Sequence, residues 1–255
     1  TFQYLPGMEQ STNCITCLEC VKSCEKENVS LSLRPWGEDL RRVFLPKSDE
    51  AALALVLVAL TGFHGFTMTP HWTTLLERIQ DTLRIGYGIS FTLGMAGLTA
   101  LPIAVYALLV AVSWRLGCQP AFGYKRYFVR YAYSLLPIAL FYHLAHNSEH
   151  LLMESQKIVP LVSDPLGRGW DLFGTAQSEP APLVSLTTLW GIQVALVLIG
   201  HLYSLAFGRR VAHDIFPNKQ VRLKTQLPIL AAMVLFSIAS LWLLKQPMQM
   251  RVSAM

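Results

Sequence analysis

Long stretches of apolar residues alternate with short charged segments along most of this chain. Residues 51–76, 85–114, 131–148, 180–208 and 225–244 contain no Asp, Glu, Lys or Arg. A helix needs about 20 mostly apolar residues to cross about 30 Å of hydrocarbon. The runs therefore predict five membrane-spanning helices: about 50–68, a second ending at Trp114, 126–153, 183–208 and 226–244. The third run is the shortest and carries two histidines. Residues 72–84 (WTTLLERIQDTLR) have the apolar spacing of an amphipathic, interfacial helix. Residues 1–48 are polar and broken by Pro35, Gly37 and Pro46, so loops and short turns are expected there. The predicted class is an all-α membrane protein, in which a small amino-terminal segment precedes a transmembrane domain at 49–255 with one long loop at 155–182.

Composition agrees with the pattern. Of 255 residues 53% are hydrophobic and 15% charged, against about 25% charged in soluble domains. The charges that remain are arranged. Arg34, Arg41, Arg42 and Lys47 precede the first span. Arg115, Lys125, Arg126 and Arg130 lie between the second and third, and Arg209, Arg210, Lys219, Arg222 and Lys224 between the fourth and fifth. Of the alternate segments, one balances Arg78 and Arg84 with Glu77 and Asp81, and the other carries Glu154, Asp164, Asp171 and Glu179 against Lys157 and Arg168. By the positive-inside rule the amino terminus is then cytoplasmic and the carboxyl terminus outside. The net charge of +5 is accounted for by this anchoring, facing anionic lipid, and no nucleic-acid surface is indicated. The chain opens at Thr1 in mid-segment, so a processed or partial amino terminus is expected.

The candidate chemistry begins at CITCLECVKSC. Cys14, Cys17, Cys20 and Cys24 have the spacing C-x2-C-x2-C-x3-C, the bacterial run for a [4Fe–4S] cluster. Zinc, whose structural sites usually use two separated C-x2-C pairs, is the alternative, and a disulfide pairing is disfavoured on a cytoplasmic face. Glu25 stands where a Pro often follows the fourth Cys, and there is no second cysteine run. Three arrangements of the fourth ligand stay open: Cys24 folds back onto the same cluster, Cys24 serves a cluster whose other ligands lie upstream or in a partner, or Cys118, on a loop expected at the same face, is the ligand.

A second constellation lies in the apolar part. His143, His146 and His150 fall within about 60° of one another on a helix, Glu154 continues the stripe and Asn147 borders it. His64 and His71, at the outer end of the first span, are expected at the same depth. Intramembrane ionisable groups are costly and mark function. Five converging imidazoles suit haem b, copper or iron, or a quinone headgroup that needs proton donors. They also suit plain packing, with hydrogen bonds to backbone or water. His201 on the fourth span is expected nearer the inner side without a partner at its depth, and Trp190 and Gln193 share a face of that span.

With the cysteine run followed by NVSLSLRPWGEDL, and with SDPLGRGWDLFGTA and LWGIQVALVLIGHLYSLAFGRRVAHD further on, the chain resembles membrane-bound ferredoxin-type proteins of the NosR, NapH and FesM-like kind, the last most closely. The resemblance implies a bacterial inner-membrane, multi-pass electron-transfer subunit of an oxidoreductase complex. Cys14, Cys17, Cys20 and Cys24 would be its cluster ligands, and His201 and His213 part of the shared fourth-span pattern. A redox protein or quinone would be its partner. The other expectation is a membrane anchor, or an assembly or metal-handling subunit, whose cluster is structural.

Overall fold

The computed structural model describes residues 14–26, 28–30, 33, 38, 46–117, 122–179 and 181–246, and among these it is helical with turns and no strand. Two compact units are present, Thr1–Val43 and Phe44–Met255. Among the described residues of the first, a short helical turn, α1 (Glu19–Lys22), carries Cys20. The second contains α2 (Ser48–Thr67), α3 (Pro70–Leu83), α4 (Tyr87–Gly117), α5 (Tyr124–Ala132), α6 (Leu136–Glu149), α7 (Ile158–Ser163), α8 (Leu186–Ile215) and α9 (Lys219–Lys245). Four helices, α2, α4, α8 and α9, are long and apolar enough to cross a membrane. The chain is thus a multi-pass membrane protein by length and composition. Leu57, Leu101, Leu108, Leu202, Leu227 and Ile238 are exposed along these helices; bilayer hydrocarbon is the solvent that accommodates them.

The third predicted span takes another form. Residues 124–163 are helical throughout, but a 3₁₀ turn at Tyr133–Leu135 separates α5 from α6, and a π-helical turn at His150–Glu154 follows α6. No single helix here meets the length required of a span. Its burial explains why so few apolar residues suffice: Tyr127, Tyr131, Leu135, Ile138 and Ala145 are all at most 2% exposed. One face of the stretch packs on α2 and α8, while Leu140, His143 and Leu144 on its other face are exposed. Close backbone approach makes that packing possible. A Cβ on Gly200 of α8 would lie 2.6 Å from Phe141 Cβ and 3.0 Å from the Pro137 carbonyl oxygen. Small residues at such crossings are what lets membrane helices pack without a hydrophobic drive.

Polar ties fix the two ends of the bundle. At one end Tyr133 donates to Glu50 Oε2 (2.6 Å) and accepts from the Lys47 amide (2.9 Å). Ser113 joins the Tyr127 hydroxyl (2.6 Å) and donates to the Thr225 carbonyl (2.5 Å). Arg130 pairs with Asp214 at 3.0 Å. This end gathers Lys47, Arg115, Arg130, Arg209 and Lys219. At the other end His71 meets Gln246 and the Leu183 amide donates to the Leu152 carbonyl. Helix α3 is amphipathic as its spacing predicts: Trp72 and Leu76 are buried, whereas Glu77, Arg78 and Asp81 are exposed.

α8 and α9 run beyond the predicted spans because charge marks the edge of hydrocarbon and does not stop a helix. α8 continues through Arg209, Arg210 and Asp214 and ends before Pro217, whose ring disfavours helix in the preceding residue. Asn218 then caps α9, its side chain accepting from the Gln220 (2.9 Å) and Val221 (3.4 Å) amides.

The loop after α7 is ordered by two carboxylates. Asp164 accepts from the Arg168 (2.9 Å) and Gly169 (2.7 Å) amides. Asp171 accepts from the Ala176 amide (2.9 Å) and the Ser163 hydroxyl (3.0 Å). Gly167, Gly169 and Gly174 take positive φ here, which explains the density of glycine in SDPLGRGWDLFG.

Two outcomes are expected. Gly200→Ala forces α6 and α8 apart and costs about 1–3 kcal/mol by overpacking, read as a lower thermal midpoint in detergent. The Asp171 carboxyl is held below its ordinary pKa by the Ala176 amide and then the Ser163 hydroxyl. Its contribution is present above about pH 4, the unfolded value, and is lost as pH falls through the lower folded value. Limited proteolysis at 164–179 with an acid-active protease speeds up over that fall in the native protein, and Asp171→Ala is cleaved fast at neutral pH already.

Candidate functional site

The cysteine segment is described by itself. Cys14 is exposed, Cys17, Cys20 and Cys24 are partly buried, and none of the four is in a disulfide. The Thr16 amide donates to Cys14 Sγ at 3.4 Å. Thr16 (φ 56°) and Leu18 (φ 62°), which flank Cys17, are both left-handed. A β-branched residue in that region is a true outlier, and such strain collects at ligand-binding loops. Left-handed residues also turn successive amides inward, making the anion-binding concavity found at many Fe–S sites. Four unbridged thiols within eleven residues supply the donor chemistry of a [4Fe–4S] cluster, although among the described residues the structure does not gather their sulfurs into one ligand group. Cys118 lies outside the described residues.

The second constellation is built by α2, α6 and the π turn. One ring nitrogen from each of His64, His146 and His150 lies within 4.8 Å of the others. The His64 and His146 rings meet edge to face at 4.8 Å between centroids, and His146 and His150 do so at 5.6 Å. His146 is 2% exposed, and its Nε2 has no hydrogen-bond partner. His150 Nδ1 is 2.8 Å from Glu154 Oε2. The π turn adds a residue to the helical cycle at this point; such turns concentrate at functional sites.

The other candidates are placed elsewhere. His143 is exposed on α6, one turn before His146. His71 stacks on Trp242 (5.4 Å) and its Nε2 donates to Gln246 Oε1 at 3.2 Å. His201 is buried, its Nδ1 donating to the Val197 carbonyl of its own helix (2.7 Å), and its Nε2 has no hydrogen-bond partner. His213 is exposed in the last turn of α8. Trp190 is exposed, whereas Gln193 is fully buried and donates to the Ala145 carbonyl (3.2 Å) and Glu149 Oε2 (3.4 Å). Glu149, 3% exposed beside the histidines, is the residue that sequence reasoning missed. It lies between His146 and His150 in sequence, an acid on the buried face of α6.

An apolar cleft of about 200 Å³ opens between α2, α4, α6 and α9, lined by Gly62, Phe63, Pro102, Tyr142, Trp242 and others. No histidine lines it. Along α2 its residues Val58, Gly62 and Phe66 face away from His64, so the cleft and the imidazole cluster occupy different sides of that helix.

The fold and these residues define a helical multi-pass membrane protein with four apolar spans and an amino-terminal four-cysteine segment. The chain matches no known family model, and no curated protein or solved structure matches it.

Gln193 is the buried link between α8 and α6. Gln193→Leu removes two donated hydrogen bonds next to Glu149 and costs about 1–3 kcal/mol; the thermal midpoint drops, whereas Trp190→Leu on the same helix leaves it unchanged.

Proposed function

We propose that the protein is a membrane electron-transfer subunit. A [4Fe–4S] cluster held by Cys14, Cys17, Cys20 and Cys24 exchanges electrons with a second redox centre in the helical domain, at the His64, His146 and His150 cluster. The stretch from Tyr124 to Glu154 is taken as a fifth crossing. Its unbroken helicity and its place between α2 and α8 support this. The cationic end is taken as the inner face and the imidazole cluster as the outer half, in a bacterial inner membrane. The likeness to FesM-like proteins points the same way.

The observation that carries the reading is the pairing of two donor sets of different softness in one chain. Thiolates select iron–sulfur clusters, and imidazoles suit redox metals. Hydrocarbon about 30 Å thick separates the two membrane faces, so a wire needs a centre besides the cluster. The cluster, when bound, supplies one-electron chemistry. The chain's own part is to wrap it, donate amides such as that of Thr16 to its sulfurs, and fasten it to a lipid-embedded bundle.

A second reading, an anchor or metal-handling subunit with a structural cluster, has one observation in its favour: the imidazole cluster leaves no slot for a macrocycle between its touching rings. On that reading the cluster is redox-silent toward quinol.

Anaerobic purification with iron, sulfide and haem quantified on one sample tests the proposal. It predicts a brown protein with iron and sulfide in equal amounts and a broad absorbance that bleaches on reduction. Cys17→Ala and Cys20→Ala lose that absorbance, and Cys118→Ser keeps it. A colourless, iron-free protein, or one whose iron survives both cysteine changes, contradicts it.

A further inference from the structure

We infer that His64, His146 and His150 form a mononuclear copper site with three imidazole ligands, in which Glu154 orients His150 and one coordination position stays open. Three features that no packing role requires are found together. First, ring nitrogens from α2, α6 and the π turn converge to within 4.8 Å. Metal–imidazole bonds of about 2.0–2.1 Å place neighbouring ligand atoms somewhat closer than this, so small ring rotations close the site. Second, His146 is almost completely buried and its Nε2 has no hydrogen-bond partner. A buried polar atom left unsatisfied costs about 1–3 kcal/mol, and a bound metal removes that cost. Third, Glu154 accepts from His150 Nδ1 at 2.8 Å, and Lys157 in turn lies 3.6 Å from Glu154. Binding Nδ1–H to a carboxylate leaves the Nε2 lone pair for the metal, the arrangement by which proteins fix the tautomer and raise the basicity of ligating histidines.

The geometry selects the ligand. Two imidazoles touching edge to face do not sandwich a porphyrin, and the apolar cleft lies on the other side of α2, so neither haem nor a quinone ring fits between these rings. Three imidazoles without a thiolate suit zinc, copper, iron or nickel, and copper heads the divalent affinity order. The inference rests on the electron-transfer reading for the choice of a redox-active ion over zinc. His64 is the exposed member, so the open position faces its side. His150 follows His146 by four residues on one face and is held by Glu154, whereas His143 is exposed on α6.

The test uses the full chain in detergent with Cys17→Ser as background, so that no intact cluster obscures the signal. The failure of the cluster proposal, read as missing iron and sulfide in the parent protein, is then independent of this result. Cupric ion is added after chelator washing, and binding and electron paramagnetic resonance are recorded. One cupric ion per chain is expected, with hyperfine structure from several nitrogens. His146→Ala lowers affinity at least a hundredfold, and His64→Ala, a change at an exposed position, keeps the fold testable and lowers it comparably. Glu154→Gln lowers it about ten- to hundredfold, while His71→Ala and His143→Ala leave it unchanged. Absence of stoichiometric copper, zinc outcompeting copper at equal concentration, or binding insensitive to His64→Ala and His146→Ala would overturn the inference.

Discussion

The close packing of α8 on α6 is the interaction on which the rest of the structure depends. It buries His146, Glu149 and Gln193 inside the bundle. Tyr127, Tyr131, Ile138 and Ala145 are buried against neighbours, and Gly200 lets α8 come close enough to α6 to cover that face. Ser204 donates to the Ser134 carbonyl across the same contact, and Gln193 reaches the Ala145 carbonyl. Without that cover Glu149 and His146 would each face a desolvation cost that no nearby water relieves. The flanking helices are long, and their apolar stretches expose residues such as Leu57, Leu101 and Ile238.

The shielded helix makes the imidazole cluster possible. α6 runs from the cationic end, where Tyr133 is tied to Glu50 and Lys47, to the end where His146 and His150 meet His64 of α2. The π turn begins at His150, and within it Glu154 accepts from His150 Nδ1. Two polar structures thus stand at opposite ends of the helical stretch from Tyr133 to Glu154.

Much of the membrane architecture could be read from uncharged runs, because lipid imposes one simple rule on exposed surface. α2, α4, α8 and α9 follow it. The third run obeys a different rule, since its surroundings are protein, and run length alone did not expose its 3₁₀ and π turns. Helix ends were displaced for a related reason: Arg209 and Arg210 end an apolar run without ending a helix. Among the histidines, a stripe angle on an ideal helix grouped His143 with His146 and His150. The π turn at His150–Glu154 and the position of α2 pick out His64 instead of His143, and both are tertiary facts. Glu149 was passed over because a lone acid at a run boundary looks like the start of a loop; its burial is set by α8. The cysteine run is recognisable by spacing alone because its pattern is local in sequence; the structure adds only that the four thiols are unbridged.

The account's central claim is that a cysteine-held cluster and a bundle-held centre are two redox groups of one protein. An anaerobic redox titration of the protein in lipid nanodiscs, followed by electron paramagnetic resonance, tests this most directly. Two separate one-electron transitions are predicted, one lost on Cys20→Ala and the other on His146→Ala. A single transition that survives either change, or none at all, would contradict the account.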